Sequence, residues 1–206
     1  MGARKGSISY QLYHVEGDTP TDRDAVLQRI REFAFEALTP ETEEDFSFGW
    51  CDFENLLGVE FTSAGVFRGE YLCLGVRIDQ WRLPGALMKA RIEIESKTIL
   101  ERTQKPKLFR SEKEVIRESV SREMKGRTLP SAATVDMVWN IEKAQVRFWS
   151  QSTRMLELFE SLFESTFEVR LSHSGPYIEA MALPLTDNQV SAMAGIERAR
   201  FTQLEG

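Results

Sequence analysis

The best candidate in this sequence for the catalytic motif of a metal-dependent nuclease is Glu93-Ile94-Glu95-Ser96-Lys97. It contains an acid-x-Lys pair, and such enzymes need clustered carboxylates that hold metal cations against the scissile phosphate. The run lies on a predicted exposed helix, however, and not on a core strand beside another acid. A magnesium-dependent exonuclease with Glu93 and Glu95 as candidate catalytic residues is therefore the weakest of three hypotheses.

The residue types that usually bind zinc or act as nucleophiles are few. His14 and His173 are the histidines, and Cys51 and Cys73 are the cysteines. Their separation matches no zinc-ligand spacing, and the sequence has neither a Gly-rich phosphate loop nor a nucleophile elbow. We therefore predict no metal site, no cofactor and no enzymatic activity. Both cysteines lie in apolar, strand-like surroundings, which predicts buried reduced thiols and a cytoplasmic location.

Cationic side chains are concentrated in one segment, where their chemistry is contact with phosphate. From Arg77 to Arg127 there are 14 Lys or Arg against 8 Asp or Glu, although the whole chain has 26 against 32. The rest of the chain therefore carries 12 against 24, a charge of −12. Attraction to a phosphate backbone depends on such local fields. The cations predicted to contact DNA are Lys97, Arg102, Lys105, Lys107, Arg110, Lys113 and Arg117.

Two charged helices between residues 83 and 129 are predicted to carry these cations. The first has Pro84 in its opening turn, and the second begins with the capping box Ser111-Glu112-Lys113-Glu114. Their apolar positions at helical spacing are Met88, Ile92 and Ile99 in the first, and Val115, Ile116, Val120 and Met124 in the second. Neither helix has the broad apolar stripe of a core-facing helix. The sequence therefore predicts a hairpin that projects into solvent, and a hairpin solvated by mixed ion pairs remains an alternative.

The turn of the hairpin carries an aromatic residue among cations. Phe109 lies between Lys107 and Arg110, where its own chain offers little to pack against. It is predicted to contact a partner subunit or to wedge against DNA, and the alternative is that it folds back on the hairpin. Phe109, Leu108 and Leu129 are the predicted contact residues of a dimer.

The remaining segments, 1–82 and 130–206, predict an α+β body with a mostly antiparallel sheet packed with helices. Predicted strands are 7–13, 46–50, 56–61, 70–81, 134–139, 144–149, 167–171 and 177–183. Predicted helices are 21–38, capped by Thr21, one that begins at Ser152, and 186–196. No apolar run approaches the roughly 18 residues that a membrane span needs, and the N-terminal residues do not form a secretory signal.

Several short stretches over about residues 8 to 175 share their order and spacing with a known bacterial family. They are Tyr10-Gln11-Leu12-Tyr13, Phe33-Ala34-Phe35, Gly49-Trp50, Tyr71-Leu72-Cys73-Leu74, Trp81-Arg82-Leu83-Pro84, Ser111-Glu112-Lys113-Glu114, Arg127-Thr128-Leu129, Met137-Val138-Trp139 and Leu156-Glu157-Leu158-Phe159. In this order they resemble the recombination-associated protein RdgC family.

The resemblance implies a nucleoid protein that binds double-stranded DNA with little sequence preference and restrains recombinase action. It also implies dimerisation into a ring that the charged hairpin closes. Two features differ from the family. Arg127-Thr128-Leu129 stands where the family has Arg-x-Phe, and the sequence ends near residue 206, where typical members continue. We therefore expect a homodimer through the hairpin, or an open clamp, in place of a closed ring.

Besides DNA binding and the nuclease, a third hypothesis follows from the acidic body. The hairpin then docks a recombination or phage-related protein partner, and DNA contact has been lost.

Overall fold

One antiparallel sheet of seven strands forms the body of the protein. The computed structural model describes residues 2, 3, 6, 9–42, 44–175, 180 and 183–195. In chain order the elements are β1 (Gln11–Glu16), α1 (Arg23–Glu32), β2 (Phe46–Cys51), α2 (Ser63–Val66), β3 (Phe67–Arg68), β4 (Tyr71–Gln80), α3 (Gly85–Thr103), α4 (Arg110–Lys125), β5 (Ser131–Asn140), β6 (Gln145–Phe148), α5 (Thr153–Phe167), β7 (Arg170–His173) and α6 (Asp187–Ala194). The predicted α+β class is confirmed.

The hairpin α3–α4 is inserted between two neighbouring strands of this sheet. Strand order is β2-β4-β5-β6-β1-β7, and the short β3 also pairs with β4. Strands β4 and β5 pair along their full length, from Tyr71 opposite Asn140 to Gln80 opposite Ser131. Since α3 follows β4 and α4 precedes β5, the hairpin leaves the sheet at the end where Gln80 and Ser131 pair.

Helices α1 and α5 cover one face of the sheet and enclose the core with it. Side chains alternate between the two faces of a strand, so Leu72, Leu74 and Val76 of β4 all point to this face and are fully buried. On α5, Phe159 stacks on Phe148 of β6 with ring centroids 4.0 Å apart. The other fully buried large side chains of this core are Trp50, Trp139, Tyr13, Phe163, Ile30 and Met137.

Helix α1 is shorter than its apolar pattern predicts. It ends at Glu32, and the prediction that it continues to residue 38 is wrong. The Phe35 N–H donates to the Trp50 carbonyl at 2.8 Å, and the Trp50 N–H donates to the Phe33 carbonyl at 3.0 Å. Pairing with β2 therefore replaces the last helical turns. A Cβ on Gly49 would lie 2.7 Å from the Phe35 backbone, so this close approach needs glycine.

The start of α1 and the position of β7 also differ from prediction. Asp22 and not Thr21 is the N-cap of α1, and its carboxylate accepts the N–H groups of the following turn. Near the end of the body, Phe167 is the last residue of α5 and not the first of a strand. Glu168 then adopts φ +57°, which ends the helix and moves β7 to Arg170–His173.

The predicted strand 56–61 is a loop. Asp52 Oδ1 accepts the N–H groups of Glu54 at 2.7 Å and Asn55 at 2.8 Å, and the Gly58 N–H donates to the Asn55 carbonyl. These bonds form consecutive turns, so the apolar residues 56–59 do not pair with the sheet. The turn chemistry of Asp52 and Asn55 outweighs the apolar pattern.

Some predicted elements fall on residues beyond the described part of the chain. Of the predicted strand 177–183, only residues 180 and 183 are described. The first predicted strand includes residues 7 and 8, which are not described, and its described part is β1, Gln11–Glu16. The predicted helix 186–196 corresponds to α6, with Thr186 as its N-cap.

Candidate nucleic-acid interface

Helices α3 and α4 pack chiefly against each other, around an apolar cluster separate from the core of the body. The buried members are Leu108, Ile116, Val120 and Met124, and the partly buried members packed on them are Leu83, Met88, Ile92, Ile99 and Leu100. Helix α3 has no buried residue, which agrees with its thin apolar pattern. Val115, expected in the apolar set of α4, is 65% exposed. The hairpin therefore presents most of its charged surface to solvent.

Helix α4 begins one residue after Phe109, and the predicted serine cap is wrong. Ser111 lies inside the helix, while the Phe109 N–H donates to Glu112 Oε2 at 2.8 Å. Lys105 in the turn reaches Glu112 Oε1 at 2.6 Å. Glu112, and not Glu114, is therefore the residue whose carboxylate accepts the backbone N–H of the N-cap. The Lys105 contact, followed by the Phe109 N–H, lowers the pKa of the Glu112 carboxyl.

Two of the seven predicted DNA-contacting cations are bound to carboxylates of the hairpin itself. Lys97 lies 2.8 Å from Glu93 Oε1, one turn away on α3, and Lys105 is bound to Glu112. The Lys97 hydrogen bond lowers the pKa of Glu93, and Glu93 in turn raises the pKa of Lys97. Both side chains of the Glu93–Lys97 pair are 68% exposed, so water screens the pair.

The other five predicted cations are exposed and have no ion pair with any described residue; they are Arg102, Lys107, Arg110, Lys113 and Arg117. Arg110, Lys113 and Arg117 follow the spacing i, i+3, i+7, which puts them on one side of α4. We call these three residues the cationic stripe. At 1.5 Å rise per residue it extends over about 10 Å along the helix. Arg102 lies in the last turn of α3 and Lys107 lies in the turn of the hairpin, so both are near the tip end of the stripe.

The three predicted contact residues lie in different surroundings. Phe109 is 61% exposed at the turn, with the Lys105 ammonium 5.9 Å from its ring centroid. Leu129 is 91% exposed but follows α4, at the base of the hairpin. Leu108 is 8% exposed and packs inside the hairpin cluster. Phe109 is therefore the one of the three that offers an apolar surface at the tip.

A contact that sequence reasoning missed attaches the base of α4 to the body. The Lys125 ammonium lies 2.8 Å from Asp45 Oδ1 and donates to the Thr42 carbonyl at 3.3 Å. Its side chain is 6% exposed, whereas that of Asp45 is 71% exposed. Thr42 and Asp45, in the loop before β2, therefore anchor the base of α4.

A groove of about 350 Å³ separates this loop from α4. One wall is formed by Pro40, Glu41, Thr42 and Asp45; the other is formed by Glu114, Arg117, Glu118, Ser121, Arg122 and Lys125, with Met88 of α3 at one end. Arg117, at the end of the cationic stripe, belongs to both surfaces. The α4 wall carries both carboxylates and cations, and Glu41 and Asp45 add carboxylates from the other side of the groove.

A small cluster of polar groups joins three elements of the body. The Tyr13 hydroxyl donates to Glu160 Oε1 at 2.9 Å, and His173 Nε2 lies 3.1 Å from the same oxygen. Burial first, and then the bond to Glu160, raises the pKa of Tyr13 far above its usual value. The hydroxyl thus stays protonated, and the cluster joins β1, α5 and β7.

The candidate nuclease residues are not gathered into a metal site. Glu93 is bound to Lys97, and Glu95 is exposed on the same helix. Among the described residues there is no group of three His, Cys, Asp or Glu side chains placed to hold a metal ion. Cys51 and Cys73 are free and buried, and burial raises the pKa of Cys51 to about 12.

No protein-family model matches the chain, and comparison with curated proteins finds no match. Among the helices of the described residues, none combines the length and the apolar character that crossing a membrane requires.

Proposed function

We propose that the protein binds double-stranded DNA without sequence preference and modulates recombination in the manner of the RdgC type. The observation that carries this proposal is the cationic stripe, Arg110, Lys113 and Arg117, exposed on one side of a projecting helix and without an ion pair among the described residues. Cations of this kind contact phosphate oxygens, which every DNA sequence presents equally. The local excess of positive charge on an acidic chain supports regional contact.

The proposal includes a homodimer formed through the tip of the hairpin. Phe109 is exposed there, and a shallow cleft of about 270 Å³ nearby is lined by Ile99, Ser111, Glu112, Val115 and Ile116. An exposed aromatic side chain beside an apolar cleft is a self-complementary surface of the kind that a two-fold contact needs. Two hairpins joined at their tips then hold two cationic stripes against one duplex.

Fluorescence-anisotropy titration of a short labelled duplex, at salt concentrations between about 50 and 200 mM, tests DNA binding. We expect the logarithm of the association constant to fall linearly with the logarithm of salt concentration. The triple variant Arg110→Gln, Lys113→Gln, Arg117→Gln removes three phosphate contacts, which lowers the salt slope by about 2.7. Duplexes of unrelated sequence should give the same constants.

A matched control changes three exposed cations of the body, Lys143→Gln, Arg154→Gln and Arg170→Gln, so the net charge falls equally. The control should keep the salt slope of the wild-type protein. Absence of wild-type binding at the lowest salt, or equal loss in both triple variants, contradicts the proposed function.

A protein-docking module is the second candidate, and the outer face of α3 favours it. Leu87 and Ile94 are 51% and 58% exposed and lie seven residues apart, on the same side of the helix. An apolar pair on a solvent-facing helix suits a protein partner better than phosphate. The variant Leu87→Ser, Ile94→Ser should leave DNA affinity unchanged under the first proposal, and it should abolish capture of a partner under the second.

A further inference from the structure

Helix α3 has a second set of apolar groups, away from the side that packs on α4. Leu87, Ile94 and Thr98 follow the spacing i, i+7, i+11 and lie on one line, at least about 100° around the helix from the residues that contact α4. Leu87 and Ile94 are 51% and 58% exposed, and the Thr98 hydroxyl donates to the Ile94 carbonyl at 3.0 Å. We call these three residues the apolar line of α3.

Two opposite charges lie beside the apolar line, on the same flank of the helix. Arg91 and Glu95 are one turn apart, both are exposed, and neither forms an ion pair with any described residue. Their order disfavours a pair within the helix, because an acid and a base at this spacing stabilise a helix best when the acid comes first. A partner that neutralises both must therefore present a carboxylate and a cation at the same spacing.

We propose that the apolar line of α3 docks a second copy of this chain, with the two α3 helices antiparallel. When the two-fold axis passes midway between Arg91 and Glu95, each Arg91 faces Glu95 of the other copy. The same axis brings Leu87 of one copy close to Thr98 of the other and sets the two Ile94 side chains beside each other. A second copy thus supplies both the apolar surface and the complementary charges, as an isologous contact requires.

This inference rests on the second candidate function, in which α3 docks a protein, and it specifies that protein. The cationic stripe is on α4, so the contact leaves it open to DNA. From Leu87 to Thr98 the apolar line extends over about 16 Å of one helix. Such a contact is smaller than the roughly 800 Å² per partner of a standard interface, so we expect weak association that depends on protein concentration.

Sedimentation equilibrium at about 0.1–1 mM protein, without DNA, tests the contact. The Phe109→Ser background removes the proposed tip contact, so that association through α3 is measured alone. Arg91→Glu or Glu95→Arg should each weaken self-association about tenfold, because like charges then face each other at both pairs. An equimolar mixture of the two variants should associate again, because each Glu at position 91 then faces an Arg at position 95.

Matched controls place the same charge changes on the body, as Lys143→Glu and Glu157→Arg, both at exposed positions. Each control should keep the association of the background protein, and mixing the two should add nothing. Circular dichroism checks that the helices are retained in every variant. No association at the highest concentration, or a mixture of the α3 variants no stronger than either alone, overturns the proposal.

The outcome is separable from both candidate functions. DNA binding is measured by the anisotropy titrations, and none of these mixtures contains DNA. If the apolar line captures a different protein while the chain does not self-associate, this inference is wrong and the second candidate function stands. If it captures no protein and does not self-associate, both are wrong, and DNA binding through the cationic stripe is unaffected.

Discussion

The Lys105 ammonium lies 2.6 Å from Glu112 Oε1, while the other oxygen of that carboxylate accepts the Phe109 N–H at 2.8 Å. One side chain thus ties the turn of the hairpin to the first turn of α4. It holds the cations of the turn and Phe109 in a fixed relation to the cationic stripe. The geometry of the tip therefore depends on the ionised form of Glu112.

Replacing Glu112 by Gln should loosen the tip, because Gln lacks the charge that binds Lys105. The pKa of Glu112 is lowered in the folded protein from a usual value of 4.5. A lowered carboxyl pKa gives stability that is present above pH 4.5 and lost as the pH falls through the folded pKa. The protection of the Phe109 amide from exchange, relative to an unstructured chain at the same pH, should fall as the pH drops below 4.5 in the wild-type protein, and it should already be reduced at neutral pH in the variant. Unchanged exchange in Glu112→Gln contradicts this account, and Glu114→Gln is the matched control.

The Lys125–Asp45 pair should respond asymmetrically to substitution, because one partner is buried and the other is exposed. Asp45→Asn leaves a buried ammonium with only the Thr42 carbonyl, and should cost about 1–3 kcal/mol. Lys125→Met removes the charge and keeps the apolar stem, and should cost less than about 1 kcal/mol. Urea unfolding of the two variants measures the difference. A larger cost for Lys125→Met would show that the pair stabilises by attraction and not by compensating a buried charge.

Gly49→Ala should destabilise the body, because a Cβ there lies 2.7 Å from both N and Cα of Phe35 and 2.9 Å from the Ala34 carbonyl carbon. These are backbone atoms that cannot rotate away, so the extended segment after α1 must shift. Overpacking of this kind costs about 1–3 kcal/mol. Gly85→Ala at the start of α3 is the control, since a Cβ added at this position would have no other atom within 4 Å. That change should be neutral or stabilise by less than about 0.5 kcal/mol, because Gly85 is the first residue of α3 and the full preference for alanine applies to helix interiors.

The sequence best predicts those elements whose structure follows from their local pattern of apolar and polar residues. In strands β2, β4 and β5, apolar residues that face the core recur at every second position. The pattern of the two hairpin helices likewise predicts bounds close to the observed ones. The end of α1 could not be predicted, because the apolar pattern of the residues after Glu32 also fits a helix. In the structure these residues leave the helix and form backbone hydrogen bonds with Trp50. That partner is distant in sequence, and its approach depends on Gly49.

The candidate site was only partly predictable for the same reason. Charge and position predict seven contact cations, but only the structure separates Lys97 and Lys105, which have partners, from the cationic stripe. Local spacing does not reveal the contact of Lys125, since its partner Asp45 is 80 residues away. Local spacing predicts which cations share a helix face, but not which of them are already bound.

Stability should fall as the pH rises above about 9, because buried acidic groups must ionise on unfolding. Burial first raises the pKa of Cys51 from 9.0 to about 12, and the pKa of Tyr13 is raised from 10.0 by burial and by Glu160. A raised pKa gives stability that is fully present below the unfolded pKa and declines as the pH rises toward the folded pKa.

Chemical denaturation between pH 7 and pH 11 measures this decline. Tyr13→Phe should cost about 0.5–1.5 kcal/mol at pH 7 and reduce the loss above pH 10, because the phenol is gone. Tyr71→Phe, on an exposed side chain, is the control and should keep the wild-type profile. A stability that does not change up to pH 11 would contradict the burial of both groups.

Lys113 and Lys97 should differ in their effect on DNA binding, although each substitution removes one positive charge. Lys113 lies in the cationic stripe with Arg110 and Arg117, and under the proposed DNA binding it would contact a phosphate without breaking an ion pair with any described residue. Lys97 is on α3 and bound to Glu93 at 2.8 Å. Lys113→Gln should therefore lower the salt slope by about 0.9, the value for one phosphate contact, whereas Lys97→Gln should leave the slope unchanged. Anisotropy titrations at several salt concentrations distinguish the two, and equal slopes for both variants would mean that the hairpin acts by net charge and not through the stripe.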